Sequence, residues 1–462
     1  MSKLPAVPNT TRRGFLKGTA GLAAAGLALF GGGRASGQSY GRGTRHRARN
    51  VVFMVSDGMS QGCWTMADIA RRRQGRRSAW ASLYAGGSPM AQMMTHSADS
   101  LVTDSAAAGS AWGIGVHINN GSICMHGGKA YEPILMTAQK HGLATGVVST
   151  ARITHATPAS FYANVESRND EETIAGQLLD RGVDLMLGGG SRFFSDELLA
   201  KHGDVVVVRD ARGLASKSGT DGRLLGLFNS SHMSYEADRP ESEPDLKTMS
   251  MTALENLAAR DQGFVLQIES GRVDHGGHAN DASANLFDQL AFDDAVEAVT
   301  NWARLRGDTL VIVTTDHGTG GPELTLYMDE GNEAFERLLG AKGTATAVAM
   351  EAGRGEDRVE RMVRGFREKF GIELSDEEHG YLRTVLVQER RGAAFSGLDR
   401  EGCVIGGVLA NHWGVGWVSG NHTAEMVQAT AIGPGRELLR PLMDNVDFYR
   451  VMMEALGLRA VS

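Results

Sequence analysis

Three short apolar runs in this chain each stop at a residue that can bind a metal ion. Residues 51–56 lead into Asp57-Gly58, residues 264–268 into Glu269, and residues 310–315 into Asp316-His317. Each run is rich in β-branched residues and too short for a typical helix, so each reads as a strand buried on both faces. In an open α/β sheet, ligands bind just beyond the carboxyl ends of the strands. A single Asp in that place is most simply a turn residue. Its return at three strand ends points to a sheet that gathers metal-type ligands along one edge.

The sequence between these runs supplies the rest of an α/β alternation. Helices are expected over 60–72, 132–141, 171–181, 246–259 and 287–305, and further strands over 144–149, 184–187, 205–208 and 427–432. Strands separated by helices imply a central, mostly parallel sheet with helices on both faces. From about 321 to 411 the texture changes. Charged, helix-favouring pieces at 333–339, 357–370 and 377–390 are separated by glycines, as in an inserted helical subdomain, lid or crown. Residues 436–456 are expected to end the chain in helix. The folded body is therefore assigned to 38–462.

Residues 1–37 read as a targeting segment. Arg12-Arg13-Gly14-Phe15-Leu16-Lys17 precedes a short apolar run, and Ala35-Ser36-Gly37 offers a small-residue cleavage site. This resembles a twin-arginine export signal, which implies a periplasmic or extracellular protein. No later run is long and apolar enough to span a bilayer. The chain carries a formal charge of −7, and taking away the five basic residues of the signal leaves −12 for the remainder. An acidic body argues against general nucleic-acid binding. Residues 42–49 read as a solvated linker, and the basic run at 71–77 as a solvated helix end. Cys63, Cys124 and Cys403 form no framework and read as packing residues, with at most one bridge among them.

The ligand-type residues are Asp57, Glu269, Asp274, His278, Asp316, His317 and His422. Asp274 and His278 are four apart, so a helix there would turn both toward one ion. Mixed carboxylate and imidazole sites suit zinc, and oxygen sites suit magnesium. Two zinc ions could clamp the attacking and leaving oxygens of an in-line displacement at phosphorus. Ser105 stands at a helix start, Thr103-Asp104-Ser105-Ala106-Ala107-Ala108-Gly109, where free N–H groups and the helix dipole favour an anion. Taken alone, it reads as a helix cap more readily than as a nucleophile. His96, His141 and His202 read as ordinary surface or packing residues.

The ordered set changes that reading. Asp57-Gly58-Met59, Thr103 to Gly109, His155-Ala156-Thr157-Pro158, Gly226-Leu227-Phe228, His232-Met233, Glu269 to His275, Asp316-His317-Gly318 and His422-Thr423 together resemble the alkaline phosphatase family over nearly the whole mature chain. The resemblance implies a metal-dependent phosphomonoesterase of broad alcohol specificity, in which Ser105 becomes phosphoserine. It implies Asp274, His278 and His422 as ligands of a first zinc and Asp57, Asp316 and His317 as ligands of a second. Asp57 would be shared with a magnesium also held by Thr157 and Glu269. Arg168, thirteen positions after His155, matches the family's phosphate-gripping arginine, with Arg152 and Arg272 as competitors. His155 and His275 stand where some bacterial members carry Asp and Lys, so they bear on magnesium binding and phosphate contact. Family members are often dimeric, so a homodimer is among the expectations. A phosphodiesterase or sulfatase of related architecture, or a phosphate-binding protein without turnover, is the competing reading. The sulfatase is disfavoured because three alanines follow Ser105.

Overall fold

A computed structural model describes residues 47–217, 219, 222–388 and 395–458. The targeting segment therefore lies outside the described residues. Ten strands form one sheet: β1 (Asn50–Ser56), β2 (Met90–Met94), β3 (Ala144–Arg152), β4 (Leu185–Gly189), β5 (Val205–Val208), β6 (Arg223–Leu227), β7 (Phe264–Ser270), β8 (Thr309–Thr314), β9 (Val427–Ile432) and β10 (Leu442–Asp444). Their spatial order is β10-β2-β9-β8-β1-β7-β3-β4-β6-β5. Every neighbouring pair is parallel except those of β9, which runs against both β8 and β2. The sheet is thus mostly parallel, as the alternation implies, with one reversed strand.

β1 is central, and its pleat feeds both sides of the molecule. Val51, Phe53 and Val55 face one core, in which Phe53 packs at 4.9 Å from Trp112 and 5.6 Å from Phe161. Val52 and Met54 face a second core with Trp80, Phe292 and Leu254. Alternate residues of a strand point to opposite faces, so a run that is apolar throughout needs cover on both. The first core receives the helices Ser105–Ile114, Ile134–Lys140, Glu171–Asp180 and Asp447–Leu456, and the second receives Leu246–Ala258 and Ala282–Arg306.

A third core lies among the helices Met328–Leu339, Ala345–Ala352, Arg358–Phe370, Asp376–Leu386 and Glu401–Trp413. Phe335, Val348, Met362, Phe366 and Trp413 meet there and pack onto Met66, Ala70, Leu286 and Leu290. The first of these helices begins five residues before its charged piece, the fourth ends at Leu386 rather than running to 390, and the second and fifth carry little charge.

Several expectations are corrected. The chain does not end in one helix from 436 to 456. Pro441 lacks an N–H and disfavours a helical residue before it, and β10 follows it before the last helix begins at Asp447. The long helix starts at Ala282, capped by the Asp281 side chain, rather than at 287. All three cysteines are free and buried, so no bridge forms. Arg71 is not a solvated helix end. It is buried and paired with Asp293 at 3.3 Å and Asp294 at 2.5 Å. The linker expected at 42–49 is already packed at its end, where Ala48 is buried and its N–H donates to the Ala455 carbonyl.

Candidate active site

The ligand-bearing strands are neighbours in the middle of the sheet. Val55 of β1 is in register with Glu269 of β7 on one side and Thr314 of β8 on the other. Strand pairing alone therefore brings Asp57, Glu269 and Asp316 together. Asp57 keeps the pairing going, its N–H donating to the Ser270 carbonyl at 3.1 Å. Gly58 then turns the chain with φ +70°, and its N–H donates to Asp316 Oδ1 at 2.9 Å. A Cβ at position 58 would sit 2.6 Å from the Asp274 Cα, so only glycine fits both the conformation and the space.

Helix Arg272–His278 follows β7 directly, and the four-residue spacing works as expected. His278 Nε2 is 3.5 Å from Asp274 Oδ1. His422 arrives from the far end of the chain on a two-residue strand, His422–Thr423, paired with Gly318–Thr319. This puts its ring 3.6 Å from that of His317, nearly parallel, and its Nε2 at 3.5 Å from Asp274 Oδ1.

The imidazoles are oriented by acceptors behind them. His278 Nδ1 donates to the Gly420 carbonyl at 2.7 Å, and His422 Nδ1 to the Thr103 carbonyl at 2.8 Å. The Thr319 hydroxyl donates to Asp274 Oδ1 at 2.6 Å and so accepts from His317 Nδ1 at 3.2 Å. In each ring Nδ1 thereby carries a proton, and Nε2 is the atom that faces the site. The Nε2 atoms of His278 and His422 lie 3.0 Å apart. Two lone pairs at that separation would repel, so a metal ion or a proton is shared there.

The carboxylates make the same point. Asp57 Oδ1, Glu269 Oε1 and Asp316 Oδ2 are buried with no hydrogen-bond partner. Buried polar atoms are normally satisfied, so these await one. The described residues group ligand atoms within 4.8 Å of one another as Asp274/His317/His422, Asp57/Asp316/His317 and Asp57/His155/Glu269. The donor sets fit zinc in the first two cases and an oxygen-preferring ion beside an imidazole in the third. Thr157 donates to Asp57 Oδ2 at 3.2 Å beside the third group.

Ser105 opens helix Ser105–Ile114, with Asp104 as its cap accepting from the Ala107 N–H at 2.9 Å. Ser105 Oγ is 3.3 Å from His317 Nε2. Arg168 reaches the same place: one guanidinium nitrogen donates to Asp104 Oδ2 and another to His155 Nε2, both at 3.0 Å. The two competing arginines are engaged elsewhere. Arg152 holds Glu171 in a two-pronged pair, and Arg272 lies 3.7 Å over the Tyr235 ring while contacting His275 Nδ1 at 2.9 Å.

A profile of the family described as alkaline phosphatase matches residues 48–458. The chain belongs to the alkaline phosphatase family. It is 30% identical over 424 residues to alkaline phosphatase 4 of Bacillus subtilis, covering 88% of each chain. The alkaline phosphatase of Escherichia coli K12 is 30% identical over 336 residues, covering 58% of this chain and 70% of that one. Among solved structures, the Thermus thermophilus alkaline phosphatase superposes with a TM-score of 0.83 at 34% identity, covering 90% of this chain and 92% of that chain. The alkaline phosphatase of Shewanella sp. gives 0.76 at 25% identity, with 88% and 100% covered. The chain is a metal-dependent phosphomonoester hydrolase of this family.

In this alkaline phosphatase the charges at the site are arranged unequally. Burial, reinforced by Asp316, Asp274 and Glu269, pushes the Asp57 carboxyl well above the usual range. Burial also pushes Glu269 up to about 7. Asp274 goes the other way: burial alone would raise it, but His278 and His422 hold it well below the ordinary value. Asp316 is likewise lowered against its burial, by His317. Burial and Arg168 hold His155 well below its usual value, and burial and Arg272 push His275 down to about 3. His155, His232 and His275 thus form a neutral imidazole triangle with rings 4.2 to 5.7 Å apart.

All the predicted ligands lie in one place, with two differences in grouping. His317 reaches both zinc-type groups, and His278 joins the first through its contacts with Asp274 and His422 rather than through His317. His275 is in none of the ligand groups among the described residues. Sequence reasoning missed Thr319 and Ser149, whose hydroxyls donate to Asp274 and Glu269. Thr319 lies two residues after His317, a spacing that returns a side chain to the same face of an extended segment. His232 was visible only as part of a motif, without a role.

Proposed function

We propose that this alkaline phosphatase transfers the phosphoryl group of small monoesters to Ser105 and then to water, with two zinc ions and one magnesium ion as resident cofactors. Asp274, His278 and His422 would hold the first zinc, Asp57, Asp316 and His317 the second, and Asp57, Thr157, Glu269 and His155 the magnesium. The chemistry supplied by the bound ions is Lewis acidity, which favours the ionised hydroxyl and offsets charge on the phosphoryl oxygens.

The chain's own groups do the rest. The Arg168 guanidinium holds two phosphate oxygens in parallel, kept in place by Asp104. The backbone N–H groups after Ser105 receive a third oxygen at the helix start. Ser105 Oγ gives up its proton and attacks phosphorus, the ester P–O bond breaks, and the alcohol leaves with a proton. Water then gives up a proton as it attacks phosphoserine, the Ser105 Oγ–P bond breaks, Ser105 Oγ takes a proton back, and phosphate departs. Two in-line inversions give retention at phosphorus. His275, whose ring lies 5.7 Å from that of His155, would contact the bound phosphate. The observation that carries this reading is the placement of Ser105 Oγ at 3.3 Å from the inward-facing His317 Nε2, beside the unsatisfied Asp57 and Asp316 oxygens.

A cavity of about 650 Å³ opens between His275 and His278 on one wall and Ala345, Met350, Arg354 and Arg400 on the other. It supports reading 321–411 as an insertion that forms a lid at the entrance. Because only the phosphoryl group is gripped, broad alcohol specificity follows. Export by the twin-arginine route to the periplasm or beyond rests on the sequence of residues 1–37, and a homodimer on the family resemblance. Among the described residues no helix is long and apolar enough to cross a membrane. The acidic body favours small phosphomonoesters over nucleic acid.

The test pairs Ser105→Ala with metal analysis and with monoester, diester and sulfate ester assays. The variant should lose about a thousand-fold or more in kcat, as removal of a covalent nucleophile does, and the parent should fail with chelator. Undiminished turnover by the variant would overturn the covalent route. A preference for diesters by orders of magnitude in kcat/KM would overturn the substrate assignment.

A further inference from the structure

A second cluster of metal-type ligands sits toward the β10 edge of the sheet and shares no residue with the catalytic centre. His96 follows β2, His117 follows helix Ser105–Ile114, and Asp444 ends β10. One ligand atom from each lies within 4.8 Å of the other two. The His96 and His117 rings are 4.4 Å apart. Asp444 Oδ1 is 3.0 Å from His117 Nε2, yet this buried oxygen accepts no hydrogen bond, and His117 Nδ1 is also buried without a partner.

The backbone holds these three side chains together independently of any ion. Asp444 is in register with Met94, two residues before His96. The loops bearing the two histidines are tied by the Ala98 N–H to the Ile118 carbonyl at 2.9 Å and by the Asn120 N–H to Asp99 Oδ1 at 3.0 Å. Gly115, at φ +70°, ends the helix and turns the chain toward His117. Two imidazoles and one carboxylate are a donor set for a borderline divalent ion. His96 is exposed and the other two are partly so, which leaves a position for water.

We propose that His96, His117 and Asp444 form a further transition-metal site, of the zinc class, that fastens the short edge strand β10 to the loops after β2 and helix Ser105–Ile114. Its role is structural, since no nucleophile or phosphate-gripping group belongs to it.

The test counts zinc per chain by plasma mass spectrometry after equilibrating the holoenzyme with zinc buffered at micromolar free concentration. The parent should hold one zinc more than His96→Ala or His117→Ala, with kcat unchanged in the variants. Added zinc should raise the melting temperature of the metal-saturated parent and leave that of His96→Ala in place. His96 is exposed, so its replacement removes a ligand and only the ring contact with His117, and remains decisive if His117→Ala fails to fold. Equal zinc content in the parent and His96→Ala would overturn the proposal. So would a missing zinc accompanied by a parallel loss of activity, because that metal would then belong to the catalytic centre.

Discussion

Replacing Glu269 with Gln should stabilise the metal-free protein at neutral pH while weakening the metal-loaded one. Glu269 is fully buried, and its carboxyl ionises at about 7 against an ordinary 4.5. A group whose folded pKa is raised contributes its stability fully below the unfolded value and loses it as pH rises through the folded value. The window is therefore about pH 4.5 to 7. At about 1.4 kcal/mol per pH unit, the cost of the ionised side chain above that window is about 3 kcal/mol. The glutamine amide cannot ionise and avoids it. Groups remote from Glu269 titrate in both proteins and cancel in the comparison, whereas Asp57, whose carboxyl Glu269 helps to push up, is relieved in the variant and adds to the difference in the same direction. Urea unfolding in chelator at pH 4 and pH 8 should show the Glu269→Gln minus parent difference rising by about 3 kcal/mol between them. With the proposed magnesium and zinc restored, the sign at pH 8 should reverse, because a proposed ligand is missing. A difference that is flat with pH in chelator would refute the reasoning.

Arg168→Lys should lower kcat/KM about 10- to 100-fold, the worth of a charge-assisted two-pronged hydrogen bond of about 1.5–3 kcal/mol, with most of the change in KM. Steady-state kinetics against inorganic phosphate inhibition checks this, and unchanged phosphate affinity would count against it. Gly58→Ala should cost about 1–2 kcal/mol in backbone conformation and push Asp274 aside, so activity should fall at lower chelator concentrations than in the parent. An unaltered chelator midpoint would show that the turn does not hold the ligand in place.

The central strands and the ligand-type residues at their ends were readable because each couples a strong local signal, a β-branched apolar run, to a residue type that a plain turn does not need. Asp274 and His278 were readable because helical spacing alone brings them together. Sheet order was less accessible. The reversed β9 looks like any other buried run, and β2 is short with Met90 exposed, so it carries no clear alternation. Arg71 resembles its basic neighbours in sequence, and only the long helix more than two hundred residues later, bearing Asp293 and Asp294, makes it a buried pair. The carbonyls of Thr103 and Gly420 that set the histidine tautomers carry no side-chain signal at all. The edge strand after Pro441 did have one, since a proline inside a helical pattern is a warning of a break.

The position of β1 has a consequence for how the enzyme comes into being. Its two sheet neighbours are made long after it: Glu269 follows its register partner Val55 by 214 positions (269 − 55), and Thr314 comes later still. At a synthesis rate of about 5–20 residues per second, the apolar centre of the sheet waits roughly 10–40 seconds for its first partner. His422 emerges after all of these. The ligand groups are therefore completed in turn, Asp57/His155/Glu269 by residue 269, Asp57/Asp316/His317 by residue 317 and Asp274/His317/His422 only when residue 422 is made. Supply of chaperones and of metal, at the time and place where folding completes, would set the yield of active enzyme more than the rate of synthesis does.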